Sequence, residues 1–102
     1  MIEESKTDLE SKLSAKIYEF FRQSDVTIDI FSQIHSENST SNFESELFIS
    51  SYRYTLAAYN LAQFFNEHFN DPTIRELEKS LLLIVDLYEN VFKASLYPTE
   101  NL

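Results

Sequence analysis

The chain of 102 residues contains no glycine. Glycine adopts positive φ angles without a steric penalty, and the two-residue turns of β-hairpins depend on it. A chain of this length ordinarily contains about seven glycines. Helices need glycine only after their last turn, where asparagine can replace it. The sequence therefore predicts an all-α fold, and it excludes the glycine-rich loops that bind phosphates and dinucleotides.

Composition and length predict one folded domain over residues 1–102, with fraying at 1–6 and 97–102. Hydrophobic residues make up 43% of the chain and aromatic residues 15%, which is enough apolar surface for a core. Because there is no cysteine, disulfides, zinc–thiolate sites and thiol nucleophiles are excluded. Residues 1–6 lack the apolar region of a signal peptide, and the longest apolar run, 81–85, is far shorter than a membrane span. We therefore expect a cytoplasmic protein.

The first long helix is predicted over about 7–24. It begins at a capping box, in which Thr7 and Glu10 would bond each other's free backbone N–H groups. Its apolar residues recur at helical spacing on one face. They are Leu9, Leu13, Ile17, Phe20 and Phe21.

Residues 25–35 fit two patterns. Val26, Ile28 and Ile30 alternate as in a strand, whereas residues 30, 31 and 34 would line a helix. A single strand has no partner for its backbone hydrogen bonds. We therefore predict a short second helix near 27–35, followed by a flexible polar loop at 36–42.

The next long helix is predicted from residue 41 or 42 to about Phe69, with Ser41 and Glu44 at capping-box spacing. Asp71 can cap the helix that follows, and Pro72 suits its first position because the missing N–H is not needed there.

The last helix is predicted over about 72–96. Its apolar residues form a heptad seam of Ile74, Leu77, Leu81, Ile84, Tyr88 and Val91. The turn before it is very short, so the last two helices should form a long antiparallel hairpin. The predicted architecture is a small bundle of three long helices and one short helix.

The helix over about 42–69 is apolar on two sides. Its primary stripe consists of Leu47, Tyr54, Ala58, Leu61, Phe65 and Phe69. Opposite lies a second stripe, which consists of Phe48, Ile49, Tyr52, Leu56 and Tyr59. Leu83 and Leu87 form a smaller apolar pair behind the seam of the last helix. A helix that is apolar on two sides is buried on two sides.

The hairpin partner accounts for one side of that helix. The second stripe is then covered either by the first two helices of the same chain or by another molecule. In the second case it predicts a homodimer or a partner-binding face, with Arg53 as an anchor beside it.

The formal net charge is −9, so a basic protein is a better partner than nucleic acid or an anionic membrane. Between Gln23 and Tyr52 there is no lysine or arginine. The acidic residues of this stretch are Asp25, Asp29, Glu37, Glu44 and Glu46. They form either a docking surface for a basic partner or a solvated segment in which Glu44 and Glu46 favour the helix dipole, and we favour the second interpretation.

Catalytic and metal-binding patterns are weak. His35 and His68 belong to no Glu-x-x-His or His-x-x-x-His pair. A metal site at His68 with Glu67 or Asp71 is a minor alternative to a solvated histidine near a helix end. We predict no catalytic, cofactor-binding or metal-binding residue.

The run Tyr59-Asn60-Leu61-Ala62, followed by Phe65 and by Glu78-Lys79-Ser80-Leu81, resembles one tetratricopeptide helical hairpin. Such hairpins bind protein partners. The resemblance covers about the middle third of the chain, and no second repeat is present. No site residue is transferred from it.

These patterns predict a non-enzymatic, acidic regulatory or inhibitory protein that binds another protein and forms a homodimer. The first alternative is an acidic decoy, of the anti-defence or immunity type, that occupies a partner's nucleic-acid-binding site. The second alternative is a helical enzyme with a carboxylate or metal site.

Overall fold

The computed structural model describes residues 2–36 and 42–96. Within these segments the chain forms three helices, which are α1 (Ile2–Ser36), α2 (Asn42–His68) and α3 (Pro72–Leu96). Neither described segment contains a strand. The all-α prediction is therefore confirmed, and the helices form a small bundle.

The first half of the chain differs from the prediction, because α1 is one continuous helix of 35 residues. The predicted short helix near 27–35 is its C-terminal part and not a separate element. Since α1 begins at Ile2, Thr7 lies inside the helix and is not an N-cap. The Thr27 hydroxyl donates to the Gln23 carbonyl oxygen at 2.7 Å, a bond within the helix at the point where a break was predicted.

The predicted polar loop is only partly described. Ser36 belongs to α1 and Asn42 begins α2. Residues 37–41, which include Ser41 of the second predicted capping box, lie outside the described residues, as do residues 97–102.

The boundary between α2 and α3 confirms the predicted cap. α2 ends at His68, one residue before the predicted end, and α3 begins at Pro72. Asp71 Oδ1 accepts hydrogen bonds from the backbone N–H groups of Thr73 at 2.9 Å and Ile74 at 3.5 Å. Two of the N–H groups that a helix start leaves without intrahelical partners are thereby satisfied.

α2 is the central helix of the bundle. α1 packs along one side of it and α3 along another, whereas α1 and α3 approach each other closely at few points. Both contacts are antiparallel: Ser24 and Phe31 of α1 meet Ser51 and Phe48 of α2, and in α3 the late residue Glu89 meets the early residue Tyr52 of α2.

The molecule is elongated, with principal dimensions of 59 × 28 × 17 Å and a radius of gyration of 16.8 Å. A compact domain of 100 residues has a radius of gyration of about 13 Å. The last two helices do form an antiparallel pair, but α1, with 35 residues, is longer than α2 and α3, with 27 and 25, and packs along α2 beside them. Long helices in a thin bundle leave several faces open to solvent.

Small residues allow the helices to approach α2 closely. Ser51, Thr55, Ala58 and Ala62 follow one another at steps of four, three and four residues, and all four are fully buried. Apolar side chains from all three helices complete the core around them. The buried core cluster consists of Ile17, Ala58, Ala62, Phe65, Ile74 and Leu81.

Candidate functional site

A buried cluster of hydroxyl groups joins the three helices. Ser24 Oγ donates to the Ser51 carbonyl oxygen at 3.1 Å, and Ser51 Oγ donates to the Ser24 carbonyl oxygen at 2.9 Å. Thr55 Oγ1 hydrogen-bonds to the Ser24 hydroxyl, and the Tyr88 hydroxyl of α3 hydrogen-bonds to Ser51 Oγ. Because Ser51 already donates its proton to Ser24, the bond to Tyr88 requires Tyr88 as the donor.

This cluster is suited to a structural role. A serine hydroxyl becomes a nucleophile when a neighbouring base accepts its proton. The groups that bond Ser24 and Ser51 are hydroxyls and backbone carbonyls, which are poor bases. The cluster therefore links three helices at one level and offers little for catalysis.

Next to the hydroxyl cluster lies a group of packed aromatic rings. Phe48 is central, with ring centroids 5.3 Å from Phe31 of α1, 5.0 Å from Tyr88 and 5.5 Å from Phe92 of α3. The ring of Tyr52 contacts Phe92 edge-on at 5.1 Å. Tilted and edge-on contacts of this kind are the favoured geometries of aromatic pairs.

A groove of about 370 Å³ opens beside these rings. All three helices contribute to it: the C-terminal half of α1, the first turns of α2 and the C-terminal half of α3. Its lining is mostly apolar and consists of Phe31, Glu44, Ser45, Phe48, Ile49, Val91 and Phe92. We call it the aromatic groove.

The part of the bundle that holds the aromatic groove is strongly acidic. It comprises residues 24–36, 42–52 and 86–96, and we call it the acidic end. It carries six carboxylates, those of Asp25, Asp29, Glu44, Glu46, Asp86 and Glu89, and one lysine, Lys93. The other described residues, 2–23 and 53–85, carry nine acidic and seven basic residues. Most of the excess negative charge of the described chain thus lies at the end of the bundle that holds the aromatic groove. One of the six carboxylates, that of Glu44, lines the groove itself, and Arg53, the first residue beyond the acidic end, lies beside Glu46 and Ile49.

One carboxylate of the acidic end takes part in the packing of the rings. The Tyr52 hydroxyl donates to Glu89 Oε2 at 3.0 Å. Burial raises the pKa of Tyr52, and the hydrogen bond to Glu89 and the negative charge of Glu89 raise it further. Tyr52 therefore keeps its phenolic proton to higher pH than an ordinary tyrosine does, and its hydroxyl links α2 to Glu89 of α3.

The structure divides the second stripe between two environments. Phe48, Tyr52 and Tyr59 are half-buried, and the rings of Phe48 and Tyr52 pack on α3. Leu56 is also half-buried, whereas Ile49 is 36% exposed and lines the aromatic groove. Much of this stripe is thus covered within the chain: Phe48 packs on rings of both α1 and α3, and Tyr52 packs on α3.

The other predicted interface residues are on the surface. Arg53 is exposed on the outer side of α2. Leu83 and Leu87 are 66% and 65% exposed on α3, so the smaller apolar pair is more open than the second stripe.

The predicted acidic surface is brought together only in part. Asp25, Asp29 and Glu46 are exposed, and Glu44 is half-buried in the wall of the aromatic groove. Glu37 lies outside the described residues. The structure adds Asp86 and Glu89, which come from the far end of the sequence to the same end of the bundle.

The predicted minor metal site has no support in the geometry. His68 is exposed, and its ring lies on Phe64 with centroids 4.6 Å apart. Among the described residues, no group of three histidine or carboxylate side chains is placed to hold a metal ion. In the same part of the chain, no helix is long and apolar enough to cross a membrane.

Two sets of residues were missed in the sequence. Phe31 and Phe92 line the aromatic groove, but they are 61 positions apart, and no local pattern links them. The hydroxyl cluster had a detectable signal, because Ser51, Thr55, Ala58 and Ala62 form a stripe of small residues in an otherwise bulky helix. Such a stripe indicates close helix packing.

No family model, no curated protein and no solved structure matches this chain. Its function is therefore inferred from the residues of the site.

Proposed function

We propose that this protein is a non-enzymatic regulator or inhibitor that binds a basic segment of another protein in its aromatic groove. The observation that carries the proposal is the position of an apolar groove inside the acidic end. Within this proposal the protein works in the cytoplasm and uses no cofactor.

The groove fits one mode of recognition in particular. An amphipathic helix binds by placing its apolar face in a hydrophobic groove, while its polar face contacts the rim. Phe48 and Phe92 supply aromatic surface, which is enriched where binding energy is concentrated.

Charge then selects the partner. With six carboxylates and one lysine, the acidic end attracts lysine and arginine side chains and repels acidic ones. Attraction of this kind mainly raises the association rate and suppresses wrong partners. A basic amphipathic helix can place its apolar side chains in the aromatic groove and its lysine or arginine side chains near the carboxylates of the acidic end.

The test uses two synthetic helical peptides with the same leucine face, one with lysine and one with glutamate on the polar face. We expect the lysine peptide to bind with a micromolar Kd that weakens as salt rises. The double variant Glu44→Lys/Glu46→Lys should weaken it at least about tenfold, and Ile49→Ser should weaken it by a similar factor through the groove wall.

The matched control is Glu67→Lys/Glu76→Lys, which makes the same change in net charge at the opposite end of the bundle. This control should alter the Kd by less than about threefold. Equal binding of both peptides, or equal loss in both double variants, would contradict the proposal.

An acidic decoy for a nucleic-acid-binding site is the second candidate. It is favoured by Asp25 and Asp29, which are exposed one helical turn apart on α1. The discriminating experiment is a competition in which a partner bound to the protein is challenged with single-stranded DNA. Displacement by DNA, together with loss of binding in Asp25→Lys/Asp29→Lys, would favour the decoy over the groove.

A further inference from the structure

The side of α3 that is largely turned away from α2 carries no charged residue over 18 positions. Its members are Leu77, Ser80, Leu83, Ile84, Leu87, Asn90, Val91 and Ala94, which we call the uncharged face. Leu77, at one edge of this face, also packs against the core cluster. At 100° and 1.5 Å per residue, they cover a sector of about 140° and a length of about 26 Å.

The uncharged face is open to solvent at its centre. Leu83 and Leu87, at 66% and 65%, are the most exposed large hydrophobic residues of the described chain. Val91 is 47% exposed, and Ile84 is half-buried. Exposed apolar side chains that are neighbours on one helix face, and not scattered singly, are typical of interaction sites.

We infer that the uncharged face binds the same face of a second copy of this chain, with the two α3 helices antiparallel. Two chains of net charge −9 repel each other. They can associate most easily where neither carries a charge. A basic partner, in contrast, gains no electrostatic energy from this face and is attracted to the acidic end.

The order of large and small residues favours the antiparallel arrangement. Residues 77, 80, 84, 87, 91 and 94 follow one another at alternating steps of three and four, as in a coiled-coil seam. Antiparallel pairing about the middle of this seam places Ile84 opposite Leu87 of the other copy. It also places Val91 opposite Ser80, and Leu77 opposite Ala94.

A parallel pair would match each residue with itself. Ser80 would then face Ser80 and Ala94 would face Ala94, which leaves gaps, while Val91 would face Val91. Cores are most stable when large side chains face small ones at constant total volume. The antiparallel pair therefore fills the contact more evenly.

This inference does not rest on the proposed function. A contact made by one helix from each copy is small, so we expect a dimer with a Kd in the micromolar range. Antiparallel pairing would leave the two acidic ends at opposite ends of the dimer. Val91 belongs to both surfaces, so the measurement of mass uses Leu83 and Leu87, which do not line the aromatic groove.

The first experiment measures mass by sedimentation equilibrium at 0.15 M salt. With rising concentration, the mass of the wild type should rise from 12.0 kDa towards twice that value. Leu83→Glu/Leu87→Glu should stay at the monomer mass with unchanged circular dichroism. The control variant is Val26→Glu/Ile30→Glu on α1. Its two substitutions are also four residues apart and add the same charge, at side chains that are 48% and 42% exposed. This control should dimerise nearly as the wild type does.

A wild type that stays monomeric at 1 mM, or a control that loses the dimer as fully as the α3 variant, would overturn the inference.

The second experiment tests the orientation of the two α3 helices, and the absence of native cysteine makes the cross-linking specific. Oxidation of a mixture of Ser80→Cys and Val91→Cys proteins should give cross-links between the two variants, separable by mass. Cross-links within each variant alone would overturn the antiparallel arrangement, because a disulfide needs Cα atoms within about 7 Å.

Discussion

Ser24 and Ser51 exchange hydrogen bonds across the contact between α1 and α2, since the hydroxyl of each donates to the carbonyl oxygen of the other at 3.1 and 2.9 Å. Serine inside a helix often bonds nearby backbone groups and weakens the helix. Here the Ser24 hydroxyl bonds α2 instead. α1 continues through residue 24, where the sequence predicted its end.

The first prediction concerns this buried pair. Ser51→Ala removes the partner of the Tyr88 hydroxyl and the donor to the Ser24 carbonyl, both of which are buried. We expect the free energy of unfolding to fall by about 1–3 kcal/mol in urea denaturation. Ser32→Ala, at an exposed position of α1, should change it by less than about 0.5 kcal/mol. Equal losses in the two variants would show that the hydroxyl cluster contributes no stability.

The second prediction tests the continuity of α1. Val26 is 48% exposed and lies in the interior of the helix, so Val26→Pro removes a backbone hydrogen bond without emptying the core. The free energy of unfolding should fall by about 3 kcal/mol or more. Val26→Ala is the control and should be nearly neutral. A proline variant as stable as this control would instead fit two helices separated near residue 26.

The third prediction concerns the start of α3. Asp71→Ala removes the acceptor of the Thr73 and Ile74 N–H groups, so stability should fall by about 0.5–2 kcal/mol. Asp71→Ser keeps a capping oxygen and should retain most of the stability. Thermal unfolding of both variants, with the exposed neighbour Asn70→Ala as the control, measures the difference. An Asp71→Ser protein as unstable as Asp71→Ala would show that capping is not the cause.

The fourth prediction concerns Tyr52 and pH. Its pKa in the folded chain is raised by burial, by the hydrogen bond to Glu89 and by the charge of Glu89, whereas an unfolded tyrosine has a pKa of about 10. The folded state therefore holds the phenolic proton more tightly. This contribution to stability is fully present below about pH 10 and is lost as the pH rises from there through the folded pKa.

Urea denaturation from pH 8 to pH 11 measures this effect. The wild type should lose stability above about pH 10 more steeply than Tyr52→Phe, which has no phenolic proton. The absorbance of tyrosinate should show a tyrosine that ionises at a higher pH than an ordinary tyrosine and that is missing in the variant. Identical pH profiles of the two proteins would contradict a raised pKa.

Local features of the fold were predictable from neighbouring residues. The α2–α3 boundary was predicted closely, because Asp71 and Pro72 act on the backbone groups next to them. The division of α1 was predicted wrongly, because the strand-like alternation of Val26, Ile28 and Ile30 is a weak signal beside the packing of a whole helix. Ser24 is tied to α2 by residues 27 positions away, which no local pattern contains.

The candidate site was predictable only in part. The acidic stretch and the apolar residues Phe48 and Ile49 were identified, because they occur within one segment of the chain. Phe31, Phe92 and Glu89 complete the same end of the bundle from other helices. Their proximity depends on how the helices cross.

Three properties could be predicted from the residues alone: the chain is helical, α3 starts at Pro72, and α2 has two apolar faces to bury. These properties follow from the lack of glycine, from capping residues and from apolar periodicity, which act within a few turns of one helix. The packing of the helices was needed to establish that α1 and α3 flank α2, that α3 together with Phe31 of α1 covers much of the second stripe, and that Leu83 and Leu87 remain open. An apolar stripe requires burial but does not specify its partner; here small residues and paired hydroxyls on different helices determine which faces can approach.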